Sequence, residues 1–283
     1  MAPRTRKTRV AGRPSGIVYG VLAVVLLGSM FPFYWSLLIG SGDSFTINDP
    51  NMSWLPGGNF LKNASLVLND PAVHFWKALG NSVIVALTVS ASTVALSTLA
   101  GFAFAKLRFK GSGPLLVTVI ATMAVPVQLG VVPLYILMQK YGWTGHLGAV
   151  IIPALVTAFG VFWMTQYLSG ALPFELIEAA RVDGCSMIRT FWHIALPAAR
   201  PAASMLALFT FVASWTNFFW PFIVLGSQNP TLPVALQLLQ STYFKDLSLI
   251  MSGVVLATVP LVLLVGFFGR QPVSGIMAGA VKG

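Results

Sequence analysis

Six charged side chains, Glu175, Glu178, Arg181, Asp183, Arg189 and Arg200, fall within residues 173–201, PFELIEAARVDGCSMIRTFWHIALPAARP, in a chain whose charged residues are only 8% of the total. Carboxylates and guanidiniums at this density suit ion pairing with a complementary surface. Catalysis finds little support, because no nucleophile, base and orienting residue gather in any one loop. The single cysteine, Cys185, excludes an internal disulfide, and His74, His146 and His193 lie in three separate loops without metal-ligand spacing, so no metal site is expected. The chain also lacks the Gly-x4-Gly-Lys-Ser/Thr phosphate loop and so is not expected to hydrolyse ATP itself. The segment reads as a socket for a partner.

The elements that must position this socket are apolar. With 283 residues and 56% hydrophobic side chains, and a mean hydropathy of +0.81, the chain is too apolar for a water-soluble globule and long enough for several membrane spans. Six runs free of Asp, Glu, Lys and Arg, at 17–39, 79–105, 115–138, 147–168, 202–225 and 249–268, are each long enough to cross a hydrocarbon core of roughly 30 Å at about 1.5 Å per residue. The expected fold class is all-α, a polytopic membrane protein of six transmembrane helices. Its parts are a basic arm (1–16), a transmembrane domain (17–270) and a C-terminal tail (271–283). Residues 40–77 are polar and rich in turn formers and read as a surface loop. Ser90, Ser92, Thr93, Ser97 and Thr98 in the second run read as helix-packing residues.

The net charge of +10 would suggest nucleic acid in a soluble domain. Here the bases sit between apolar runs and act as topology signals and lipid-surface contacts, so nucleic acid is not an expected partner. All Lys and Arg except Lys62, Lys77, Lys140 and Lys245 fall on one side of the six-span arrangement. The positive-inside rule then places both termini and residues 173–201 in the cytoplasm, with 40–77 facing outward.

Within the charged segment, Pro173 can start a helix, Glu175 and Glu178 complement its positive end, and Gly184 can stop it. Ser186 can cap a second short helix with Met187, Ile188, Phe191, Trp192 and Ala195 on one face, before Pro197 and Pro201 lead into the fifth span. Periodicity alone would make this an interfacial amphipathic segment. The residue pattern says more. Glu178-Ala179-Ala180, three residues, Gly184, nine residues, then Ile194-Ala195-Leu196-Pro197 resembles the EAA loop of ABC importer permeases. Pro126-Val127-Gln128, Pro133-Leu134-Tyr135 and the stretch from Trp215 to Pro221 are similar to the carbohydrate permeases of maltose type, in particular the partner with a short C-terminal tail. The likeness runs from Leu79 to Gly283. Two positions depart from it: Thr165 stands where many relatives have an arginine, and Thr216 separates a Trp and Asn that are usually adjacent.

This resemblance implies a type I ABC importer permease fold in a bacterial cell membrane. It further implies a second homologous permease subunit, two ATPase subunits that hold ATP and Mg, and an extracytoplasmic sugar-binding protein. Glu178, Ala179, Ala180, Arg181, Asp183, Gly184, Ile194, Leu196 and Pro197 are the expected ATPase-coupling residues, and Val281, Lys282 and Gly283 the expected tail contact. Sugars are held by amides, hydroxyls and aromatic faces, so Gln128, Trp215 and Asn217 near kinked spans are candidates for the translocation path of a di- or oligosaccharide. The alternative is an ion-coupled secondary transporter of a small polar solute, which usually leaves carboxylates or histidines inside its spans. None is present in the six runs.

Overall fold

Long uncharged runs satisfy their backbone groups internally only as helices, and the computed structural model follows that rule. It describes residues 15–43, 53–242 and 246–268, and these contain helices and no strand. Residues 1–14 of the basic arm and the whole C-terminal tail, with Val281, Lys282 and Gly283, lie outside the described residues. Five helical stretches are long and apolar enough to cross a membrane. They are α1 (Gly16–Gly40), α3 (Phe75–Lys106), Gly148–Ala171, Met187–Trp215 and α13 (Leu247–Phe268).

The sixth expected span, 115–138, is not one helix. It is a pair, α4 (Ser112–Thr122) followed by a 3-10 turn (Val127–Gly130) and α5 (Val131–Lys140), bent by 90° at the break. Pro126 is the cause: it has no N–H to donate, and its ring drives the residue before it out of the helical region. The fourth span is interrupted at Pro153, where α6 (Gly148–Ile151) passes through a 3-10 turn (Ile152–Ala154) before α7 (Ala158–Ala171) begins. Thr157 caps α7 by accepting the Gly160 N–H at 3.0 Å.

The fifth span differs in both its limits. It starts upstream of Ala202, because α9 (Met187–Thr190) continues through a π turn (Phe191–Ala195) into α10 (Leu196–Trp215). Across the π turn the hydrogen-bond ladder shifts by one residue, with Leu196 N–H bonded to the Phe191 carbonyl, so Pro197 enters a ladder that has already moved and does not stop the helix. The span ends at Trp215; Phe219–Leu225 forms a separate short helix, α11.

Two further helices lie in segments that carried no span signal. One is α2 (Phe60–Asn69), within the expected surface loop, and the other is α12 (Leu232–Thr242). Each buries one apolar face, Ala64 and Val67 in α2 and Leu232, Val234, Ala235 and Leu239 in α12. Both pack against α13. The start of α3 holds the chain ahead of α12 through three side chains: Lys77 donates to the Gln228 carbonyl at 2.7 Å, Asn81 to the Pro230 carbonyl at 2.9 Å, and Ser82 accepts the Leu232 N–H at 2.8 Å.

The centre is the packing of α3 against α7 and α10. In hydrocarbon, apolar burial favours no particular neighbour, so helices associate where small residues permit close approach. A Cβ on Gly101 would lie 2.7 Å from Met164 Cβ and 2.8 Å from its backbone carbon, and one on Gly160 would lie 2.4 Å from Ser97 Oγ. Met164, Leu168 and Leu206 are sealed in the adjoining core. Ser90 donates to the Ala207 carbonyl at 2.8 Å and Thr93 to the Ala154 carbonyl at 3.3 Å, the helix-packing use expected of them. By contrast, α1 is exposed along most of its length and is fixed at its end, where the Gly40 carbonyl accepts from Asn63 and Ser252.

Gly101→Val is expected to destabilise the bundle by about 1–3 kcal/mol through overpacking, whereas Gly28→Ala, at a site with open space around it, is expected to leave thermal unfolding of the purified protein unchanged. Equal melting temperatures for the two variants would refute the close α3–α7 contact.

Candidate functional site

The 173–201 segment folds as a helix, a sharp turn and a second helix. Pro173 has φ −60° and ψ 147° and precedes α8 (Phe174–Val182), with Glu175 in the first turn and Arg181 in the last, both favourable to the helix dipole. Gly184 ends α8 at φ +75°, a left-handed conformation that costs residues carrying a Cβ roughly 1–2 kcal/mol. The turn closes with two bonds: Cys185 N–H to the Ala180 carbonyl at 2.9 Å and Gly184 N–H to the Arg181 carbonyl at 3.0 Å. This is the Schellman arrangement, which satisfies carbonyls left over at the helix end. Ser186 then caps α9, its Oγ accepting the Arg189 N–H at 3.3 Å.

The two faces of α8 differ. Ile177 and Ala180 are buried, Ile177 within the core that holds Leu168, Leu172, Phe191 and Ala195. Glu178, Ala179, Arg181, Asp183 and Gly184 are exposed. Ile194 and Leu196 are half-buried, and Pro197 is exposed. The inner side is therefore fixed to the bundle, and the outer side presents Glu178 and its neighbouring charges. Of the apolar face expected on the second helix, Phe191 and Ala195 are buried, while Ile188 and Trp192 stand exposed along a groove of about 750 Å³ that also involves Leu99 and Phe102 of α3.

A second concavity, of about 520 Å³, lies where the helices are broken. Gln128 comes from the turn after Pro126, Pro153 and Thr157 from the break in the fourth span, and Thr210, Ser214 and Asn217 from the end of α10 and the residues just beyond it. The volume lies in the range of small-molecule sites, and a few polar groups set in apolar walls are their usual lining. Gln128 and Asn217 thus share one cavity. Trp215 lies elsewhere: it is buried, stacked on Phe211 at 5.6 Å between ring centres, and its Nε1–H donates to the Ala257 carbonyl at 3.3 Å. The aromatic residues that line the cavity with Gln128 and Asn217 are Phe219 and Trp220, and the Trp220 Nε1–H donates to the Ala149 carbonyl at 3.0 Å. Sequence reasoning missed Trp220 because both tryptophans lie in one short stretch, and the helix break at Thr216 decides which of them faces the cavity.

Helices with breaks at these points, a helical loop ahead of the fifth span and an apolar exterior define a membrane permease. The chain matches the model of the family described as binding-protein-dependent transport system inner membrane component over residues 94–270, and it belongs to that family. It is 32% identical to the arabinooligosaccharides transport system permease protein AraQ of Halalkalibacterium halodurans, over 82% of this chain and 88% of that one. It is also 32% identical to the lactose transport system permease protein LacG of Rhizobium radiobacter, over 95% and 97%, and 30% identical to the trehalose/maltose transport system permease protein MalG of Thermococcus litoralis, over 94% and 96%. Its fold matches a chain in the crystal structure of a bacterial ABC transporter involved in the import of the acidic polysaccharide alginate, with a TM-score of 0.73 at 19% identity, covering 93% of this chain and 99% of that chain. The fold is that of a type I ABC importer permease.

Gly184→Val is expected to speed hydrogen exchange of the amides in the last turn of α8, by destabilising the turn by about 1–2 kcal/mol, whereas Gly184→Asn, a residue that tolerates the left-handed region, is expected to perturb it much less. Identical exchange in both variants would remove the conformational requirement at this position.

Proposed function

We propose that this chain is the transmembrane permease subunit of an ATP-driven importer of a di- or oligosaccharide. The observation that carries this reading is the exposed, rigidly capped charged face of α8 on a chain that aligns with sugar permeases over nearly their whole length. A second, homologous permease completes the pore, two ATPase subunits bind ATP and Mg, and an extracytoplasmic binding protein delivers the sugar. The 173–201 segment and both termini face the cytoplasm of a bacterial cell, as the distribution of bases supports, and lipid surrounds the exposed apolar helices.

Coupling follows from the two-faced construction of α8. Glu178 forms an ion pair with an ATPase guanidinium, Arg181 and Asp183 complete the contact, and the small Ala179 lets the partner approach. Closure of the ATPase dimer moves α8, and Ile177 and Ala180 pass the displacement to the core against which they pack. Ile194, Leu196 and Pro197 tie the far end of the loop to the fifth span. The cavity around Gln128, Asn217 and Trp220 holds the sugar in transit, with amides on hydroxyl groups and the indole against an apolar sugar face.

In proteoliposomes containing the assembled complex, the double variant Gln128→Ala, Asn217→Ala is expected to slow uptake about tenfold, the scale of two lost hydrogen bonds, with the ATPase subunits still bound. Unchanged uptake kinetics would exclude the cavity from the path. Glu178→Ala is expected to weaken retention of the ATPase subunits on the permease about tenfold. Uptake that survives ATP depletion but stops when ion gradients are collapsed would replace this reading with ion-coupled transport.

A further inference from the structure

Three bases follow one another at the end of α3, and they are not equivalent. Arg108 and Lys110 are exposed, as topology determinants should be, but Lys106 is only 6% exposed. Withdrawing an ammonium from water costs free energy unless partners replace its hydration, and a topology signal needs no burial. Lys106 has such partners. Its Nζ donates to the Ser169 carbonyl at 3.2 Å and lies 4.4 Å from the centre of the Phe174 ring. Ser169 belongs to the last turn of α7, whose carbonyls are short of intrahelical donors and carry the negative end of the helix dipole. Phe174 is the first residue of α8.

One cation therefore joins three elements: the end of α3, the end of α7 and the start of α8. Between α7 and α8 the chain has only Leu172 and Pro173, both in extended conformation. Ile177 and Ala180 fix the middle of α8 to the core, and a contact at its first residue is what ties the joint itself to α3. We propose that Lys106 is a positioning residue that locks the α7–α8 joint to α3, so that displacement of α8 moves α3 and α7 together. The same α3 contributes Val89 to the wall of the cavity that holds Gln128 and Asn217, which gives the motion a route from the loop to that cavity. Lys106 does not line the cavity, and on α8 it meets the Phe174 ring rather than Glu178, Arg181 or Asp183, so it acts on transport through the elements it joins. The inference rests on the importer reading above.

The test measures sugar imported per ATP hydrolysed by the assembled complex in proteoliposomes. Lys106→Met, which keeps the length and apolar stem, is expected to lower that ratio about tenfold, the scale of one lost charge-assisted hydrogen bond, with the ATPase subunits retained and hydrolysis continuing. Lys106→Arg is expected to restore the ratio to within about twofold of the original. Phe174→Leu, which removes the ring but not its packing, is expected to lower it about threefold and serves as the measurement if Lys106→Met does not assemble. A residue that only stabilised the fold would reduce the yield of complex and leave the ratio unchanged. An unchanged ratio in Lys106→Met, or in Phe174→Leu where the former fails to assemble, would overturn the proposal. Absence of ATP-driven uptake in the unaltered complex would instead overturn the importer reading, so the two failures are distinguishable.

Discussion

The contact between Gly101 and Met164, with Gly160 against Ser97 on the same crossing, sets how closely α3 and α7 lie. In a protein whose exterior is as apolar as its interior, the oil-and-water contrast that assembles soluble domains contributes little between helices. Close backbone approach, dispersion and hydrogen bonds from side chains to carbonyls take its place. Ser90 to the Ala207 carbonyl and Trp163 to the Ala202 carbonyl extend the same logic from α3 and α7 to α10. The three helices so joined form the frame on which the 173–201 loop and the cavity are mounted.

Breaks in the helices supply the cavity, and each break leaves carbonyls that hydrocarbon cannot satisfy. The structure answers with particular side chains: Thr93 takes the Ala154 carbonyl and Trp220 the Ala149 carbonyl, on either side of Pro153. Trp220 therefore serves two ends, closing the broken span and presenting a ring to the cavity. At the other concentration of function, the Schellman turn at Gly184 and the cap at Ser186 satisfy the backbone between α8 and α9 with local bonds. That local closure is why the loop holds its shape while its outer charges stay exposed.

Much of this was legible in the residues. The helix before Gly184, the cap at Ser186 and the existence of apolar spans follow from near neighbours in the chain: a glycine where φ must be positive, a hydroxyl one residue before a helix, an uncharged run of sufficient length. The bend of the third span was foreshadowed by Pro126, but its 90° angle depends on what α4 and α5 pack against. The fifth span was misplaced at both ends because a π turn carries the helix past Pro197 and because Thr216 begins a break inside an apolar run. The helices α2 and α12 escaped notice because each is short and buries only one face, a face set by packing against α13, which lies far from α2 in the chain although it follows soon after α12.

By itself the sequence determined the class of element, the number of apolar runs, the charged loop and its break, since these depend on composition and on contacts a few residues apart. Tertiary structure alone decided which tryptophan joins Gln128 and Asn217, why Trp215 instead anchors α10 to α13, and that Lys106 turns inward while Arg108 and Lys110 do not. Those outcomes depend on carbonyls and rings brought from distant helices, such as Ser169 and Phe174 to Lys106. No spacing along the chain encodes a partner that only packing brings within reach.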